Sequence, residues 1–159
     1  IAYLNLQKQM AQGFIDMKAG NYEAALPAFQ AAIEAGHTEC TLYAGMCATE
    51  LGKTAEQVAY LTTYVDYDPE NTYACAQLAD YYFQQGRYGT CYQYLKQGLQ
   101  STDKSCIEQL RYIEILYYES QHDYDKAYEL ICEYRKNYTV TDLVQKEYDF
   151  LYTRQSLES

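Results

Sequence analysis

Apolar residues recur along this chain at spacings of three and four, and the pattern is broken at regular distances by a glycine or a polar turn. Gly20-Asn21-Tyr22 is followed by Ala25, Phe29 and Ala32. The frame returns as Gly52-Lys53-Thr54 with Gln57, Leu61 and Tyr64, and as Gly86-Arg87-Tyr88 with Cys91, Leu95 and Gly98. A fourth copy reads His122-Asp123-Tyr124, then Ala127, Ile131 and Tyr134. Positions 20, 52, 86 and 122 lie 32, 34 and 36 residues apart. A period near 34 with helical spacing on both sides of a short turn predicts stacked helix-turn-helix units. The helices are expected at about 2–19, 22–35, 38–51, 54–67, 72–85, 88–101, 105–121, 124–137 and 141–156.

The first helix of each unit carries its own mark. Gly13, Gly45 and Ala79 each stand seven residues before the turn glycine, where a small residue lets paired helices approach closely. Ile115 takes that place in the fourth copy and should change the angle or spacing of its hairpin. Thr54 with Gln57, and Ser105 with Glu108, read as capping boxes. Asp68-Pro69 reads as a cap followed by proline at a first helical position. The turn glycines suit the left-handed residue that ends a helix, and His122 is a polar stand-in for one. Pro27 falls inside a helix and predicts a mild kink. In the ninth helix Asp142, Gln145, Lys146, Glu147, Asp149 and Arg154 form a polar face, and Leu143, Val144, Tyr148, Leu151 and Tyr152 an apolar one. Such a helix should cap the last interface of the array.

These residues resemble the tetratricopeptide repeat family, over essentially the whole chain. The implied fold is all-α: a right-handed superhelical solenoid of antiparallel helical hairpins, treated as one domain over 1–159. Its repeats would run at about 2–36, 38–69, 72–103 and 105–138, with a capping helix at about 141–156. The second copy departs at Thr54 and Gln57, the third has Cys91 where alanine is usual, and the fourth lacks the turn glycine. The resemblance implies that first helices line a concave groove for a peptide or a partner helix. Carried over by position, the groove takes Met10, Phe14 and Met17 from the first repeat, then Leu42, Tyr43, Met46 and Glu50 from the second. The third repeat adds Tyr73, Gln77, Asp80, Phe83 and Gln84, and the fourth Tyr112, Leu116 and Glu119. Relatives that clamp the acidic tails of chaperones place Lys, Arg and Asn there. Met10, Phe14, Tyr43, Tyr73 and Gln77 offer a carboxylate no cation, so that ligand is not expected. An apolar segment flanked by Lys or Arg suits the groove better, with tyrosine giving area at low entropy cost and methionine adapting its shape.

Composition agrees. The net charge of −10 repels phosphate backbones, so nucleic acid is not an expected partner. No apolar run approaches the roughly 18 residues of a membrane span, so no direct membrane insertion by this segment is expected. The chain opens on Ile1 in what already reads as helix, which suggests a trimmed or processed start. The compartment is then open between cytoplasm and export.

The remaining chemistry reads as structural. Most of the 21 tyrosines are expected to fill bulky hairpin positions, among them Tyr22, Tyr88 and Tyr124, with Tyr43, Tyr73 and Tyr112 left as contacts. The six cysteines form no CxxC pair and read as small core residues, a Cys40–Cys75 disulfide being the pairing to check. His37-Thr38-Glu39-Cys40 gathers three ligand types at a helix start without a second cluster, so no metal or other cofactor is expected. No serine elbow, phosphate loop or paired-carboxylate motif appears, and no enzyme activity is expected. The alternative to peptide binding is a structural or oligomerisation subunit, a homo-oligomer included, that packs through its end helices.

Overall fold

The computed structural model describes residues 1–158. The described residues form nine helices: α1 Ala2–Lys18, α2 Tyr22–Glu34, α3 Cys40–Glu50, α4 Thr54–Tyr67, α5 Thr72–Gln84, α6 Tyr88–Leu99, α7 Ile107–Ser120, α8 Tyr124–Asn137 and α9 Asp142–Glu158. The fold is all-α, as the repeat predicts. Contacts group the helices into two compact units, one ending at Pro69 and the other beginning at Glu70.

In the first unit, α1 pairs with α2 and α3 with α4, while α2 also packs on α3. Phe29 is fully buried at the centre with Ala25, Ala32, Cys40, Ala44 and Cys47. The small residues work as expected. A Cβ on Gly13 would stand 3.0 Å from Ala28 Cβ and 3.4 Å from the Phe29 ring. A Cβ on Gly45 would meet Leu61 Cδ2 at 2.5 Å and Cγ at 2.9 Å. The second helix of each hairpin therefore occupies the volume that a side chain on the first would need. α2 runs through Pro27 without a break.

In the second unit, α5 pairs with α6 and α7 with α8, α7 also packs on α5 and α6, and α9 packs on α8. Gly98 lets three helices meet, since a Cβ there would lie 2.9 Å from Cys75 Cβ and 2.8 Å from Leu110 Cδ1. Ile115 is fully buried with Ala127, Ile131, Tyr134, Val144 and Leu151. Val144 and Leu151 come from α9, which thus covers the apolar side of the last hairpin.

The helix ends correct several expectations. α4 starts at Thr54 with Lys53 at the N-cap, so Thr54 is the first helical residue and not a cap. Asp68 is the C-cap of α4, and α5 starts only at Thr72, where Asn71 caps the Ala74 amide at 2.9 Å. Pro69 therefore lies in the connecting turn. Ser105 is drawn to Asp103, whose Oδ1 accepts from the Ser105 amide at 2.9 Å, and α7 begins two residues later at Ile107. Asp123 and Thr141 supply side-chain caps for α8 and α9. The turn assignments hold: Gly20, Gly52 and Gly86 have φ of 83°, 70° and 73°, and His122 takes the same left-handed conformation at 60°. A non-glycine residue there costs about 1–2 kcal/mol. His122 Nδ1 lies 2.9 Å from the Tyr124 hydroxyl, a contact that offsets part of that cost.

Gly45→Ala should lower stability by about 1–3 kcal/mol, because the new methyl must displace Leu61. The urea unfolding midpoint followed by circular dichroism measures it. An unchanged midpoint would show that α3 and α4 are free to move apart.

Candidate functional site

A groove of the second unit runs between α5, α7 and α9 and encloses about 690 Å³. Asp80 and Gln84 stand on its α5 side, and Tyr112, Ile113 and Leu116 on its α7 side. Leu143 and Val144 close it from α9. Helical spacing explains the α7 wall: residues 109, 112, 113 and 116 fall on one face. Four residues carried over from the sequence, Asp80, Gln84, Tyr112 and Leu116, thus share one groove. Leu116 also borders a smaller cavity of about 340 Å³ with Phe83, Glu119, Ser120, Tyr124 and Glu147. Tyr73 and Gln77 lie half-buried on α5, outside both sets of lining residues.

The electrostatics are acidic and partly desolvated. The Tyr134 hydroxyl donates to Glu108 Oε1 at 3.1 Å across the groove floor. Burial, then the Glu108 hydrogen bond and charge, push the Tyr134 hydroxyl up to about 12. Burial also raises Tyr112, helped by the charges of Glu147 and Glu119. Glu119 itself is pushed up to about 8 by burial and by its hydrogen bond and repulsion with Glu147. The sequence placed Glu147 on a solvent-facing side of α9, whereas its Oε1 is buried. Leu143 and Tyr152, placed on the apolar side, are 63% and 51% exposed.

In the first unit the groove residues are drawn into packing. Phe14 meets Phe29 edge-on at 5.1 Å and Tyr43 at 4.7 Å, so one aromatic cluster ties α1, α2 and α3 together. Met10 and Met17 rest on the same core. Leu42 is only 8% exposed, and little of it is left for a ligand. Met46 is half-buried and Glu50 is exposed.

Sequence reasoning missed the contribution of α9, along with Cys106, Glu108, Gln109, Ile113, Tyr134 and Thr141. The adjacent apolar pair Leu143-Val144 at the start of α9 was the available signal, since one core face cannot bury both.

His37 Nδ1 faces Glu39 Oε1 at 3.1 Å. The neighbouring Cys40 is buried and its thiol raised, by desolvation first and Glu39 second, which is the opposite of what a thiolate nucleophile needs. Cys47 and Cys91 are pushed up to about 11 and about 12, by burial above all. No described cysteine is in a disulfide, Cys40 and Cys75 included; four are buried, and Cys106 and Cys132 are partly exposed. Among the described residues no group of three or more His, Cys, Asp or Glu is placed to hold a metal ion. No described helix is long and apolar enough to cross a membrane.

Residues 72–104, which span α5 and α6, match the sequence model of the family described as tetratricopeptide repeat. Solved structures match nearly the whole chain. A tetratricopeptide repeat protein from Parabacteroides merdae is 19% identical with a TM-score of 0.70, over 96% of this chain and 60% of its own. The chain thus spans 60% of the length of that protein. A MamA protein is 18% identical with a TM-score of 0.78, over 96% of this chain and 83% of its own. A thermophilic TPR protein from Thermus thermophilus is 18% identical with a TM-score of 0.59, over 94% of this chain and 82% of its own. No sequence among the curated proteins matches. One repeat carries the tetratricopeptide sequence pattern, and the chain as a whole carries the tetratricopeptide-repeat fold.

Titration of the folded chain with a disulfide-exchange thiol reagent should modify Cys106 and Cys132 first. Cys40, Cys47, Cys75 and Cys91 should react at the rate of local or global unfolding. Rapid modification of any of these four in the folded state would mean that its surroundings open more readily than the packing implies.

Proposed function

We propose that the chain is a protein-interaction module whose second-unit groove binds an apolar peptide or helix flanked by Lys or Arg. The carrying observation is that groove of about 690 Å³, apolar along Ile113, Leu116, Leu143 and Val144 and acidic at Asp80 and Glu108. The net charge of −10 extends the same preference by steering basic partners toward the surface. Tyr112 supplies a large amphipathic face, and Leu143, 63% exposed, supplies apolar area that a ligand would remove from water. The repeat fold supports protein partners in general, and the chemistry of the groove narrows their kind. The second unit carries more of the reading than the first, because Asp80, Gln84, Tyr112 and Leu116 line one groove there.

A second reading is a structural subunit that packs through its end helices. It is favoured by the apolar residues exposed there: Tyr3, Leu4 and Ile15 on α1, and Phe150, Tyr152 and Leu157 on α9. Light scattering separates the two readings. A monomer at the concentrations where peptides bind removes the second.

Short random peptides selected on the immobilised full chain should converge on an apolar core with neighbouring Lys or Arg. Tyr112→Ala should weaken the selected peptides about 10-fold or more, the loss expected for truncating an aromatic anchor, with helicity near wild type. Added salt should weaken them further. Equal binding to Tyr112→Ala, read by fluorescence anisotropy, would refute the groove as the site.

A further inference from the structure

The smaller cavity beside the groove brings together two carboxyl groups from different helices. Glu119 stands near the C-terminus of α7 and Glu147 in the second turn of α9. Glu119 Oε2 and Glu147 Oε1 are both shut off from solvent, and no N–H or hydroxyl group of the protein reaches either atom. The two side chains hydrogen-bond each other. Two ionised carboxylates have only acceptors, so that bond requires one of them to keep a proton. The neighbouring elements bring no compensating charge. Asp80 on α5 and Tyr112 on α7 are an acid and a phenol, and Tyr124 on α8 is a phenol. Two cations of the last hairpin and α9 lie over rings, Arg154 over Tyr124 at 4.3 Å and Arg135 over Tyr148 at 3.8 Å; Arg135 Nε is buried and hydrogen-bonds neither carboxyl. Among the described residues no lysine or arginine forms an ion pair with Glu119 or Glu147.

We infer that α9 is held against α7 by a proton shared between Glu119 and Glu147, and that the wall α9 lends to the groove loosens as this proton is lost. With α9 in place Glu119 keeps its proton up to about pH 8. With α9 released, Glu119 returns to the ordinary value of 4.5 for its kind. The released form therefore loses its proton first as pH rises, and docking of α9 weakens progressively between these two values. Above the higher value both forms are ionised and the effect levels off. α9 stays attached when the proton leaves, because Val144 and Leu151 remain buried in the apolar cluster. What moves is the exposed edge bearing Leu143, which lines the groove. That consequence for a ligand rests on the groove reading above, while the proton-held contact does not.

Hydrogen exchange of the full chain, followed by mass spectrometry and corrected for intrinsic rates, tests the inference. Protection of α9 relative to α8 should fall about 10-fold or more from about pH 5 to about pH 8, and should change little beyond. Glu119→Gln supplies a permanent N–H donor to Glu147 and should make the profile flat, with α9 protected at every pH. Glu147→Gln should do the same from the other side and serves if the first variant folds poorly. A flat profile in the wild type, or a slope that persists in both glutamine variants, overturns the inference. Peptides that lose affinity for Tyr112→Ala yet bind independently of pH would leave the groove standing and remove its control by the proton.

Discussion

The structure depends on how closely the two helices of a hairpin approach. At Gly13 and Gly45 the first helix gives up its side chain, and Phe29 and Leu61 from the second fill the space, the former touching and the latter overlapping the position of an added Cβ. Phe29, Leu61, Leu95 and Ile131 hold the same place in the four hairpins, and all are at most 1% exposed. Burying such a side chain contributes about 1.5–3 kcal/mol, and close packing adds dispersion that a gap would forfeit. Each hairpin is thereby pinned at its centre, the cores continue into the neighbouring helices, and the groove chemistry sits on what those cores leave uncovered.

The two units use their aromatic residues differently. In the first, Phe14 and Tyr43 complete a ring cluster around Phe29, and Phe14 keeps 37% of its surface exposed. In the second, Tyr112 and Leu116 remain on a concave wall, and α9 supplies a further wall through Leu143 and Val144. α9 has two tasks. Val144 and Leu151 seal the last hairpin, while Glu147 turns inward to Glu119 and ties the seal to the protonation of one buried pair. Arg135 and Arg154 lie on the Tyr148 and Tyr124 rings, a placement that keeps cations near α9 without neutralising the carboxyls.

Much of this was legible in the residues. The turn glycines and His122 announce left-handed backbone because few side chains tolerate it, and all four positions have it. Helix lengths followed from periodicity, as at Tyr22–Glu34, expected at 22–35. The caps were less legible. Thr54 and Ser105 have the right chemistry, but Lys53 precedes the first helix turn in one case and Asp103 captures the serine in the other. A cap depends on where the preceding loop delivers the chain, and local residue type does not contain that. Pro69 misled for the same reason, since a proline suits a connecting turn as well as a helix start.

The sequence by itself determined the repeat, the hairpins and the buried frame, because those rest on interactions between residues close in the chain or at a fixed period. It also placed Asp80, Gln84, Tyr112 and Leu116 on first helices, and they share one groove. Only the tertiary structure decided that Leu42 is core, that Phe14 is held by Tyr43, and that α9 is a wall of that groove. It also decided that Glu147 faces Glu119, a residue 28 positions earlier. A helix face is written in the spacing of its residues, but the surface it meets is set by how non-neighbouring helices pack. The protonation of a buried carboxyl belongs to that second kind of information, since it follows from what the packing removes from water.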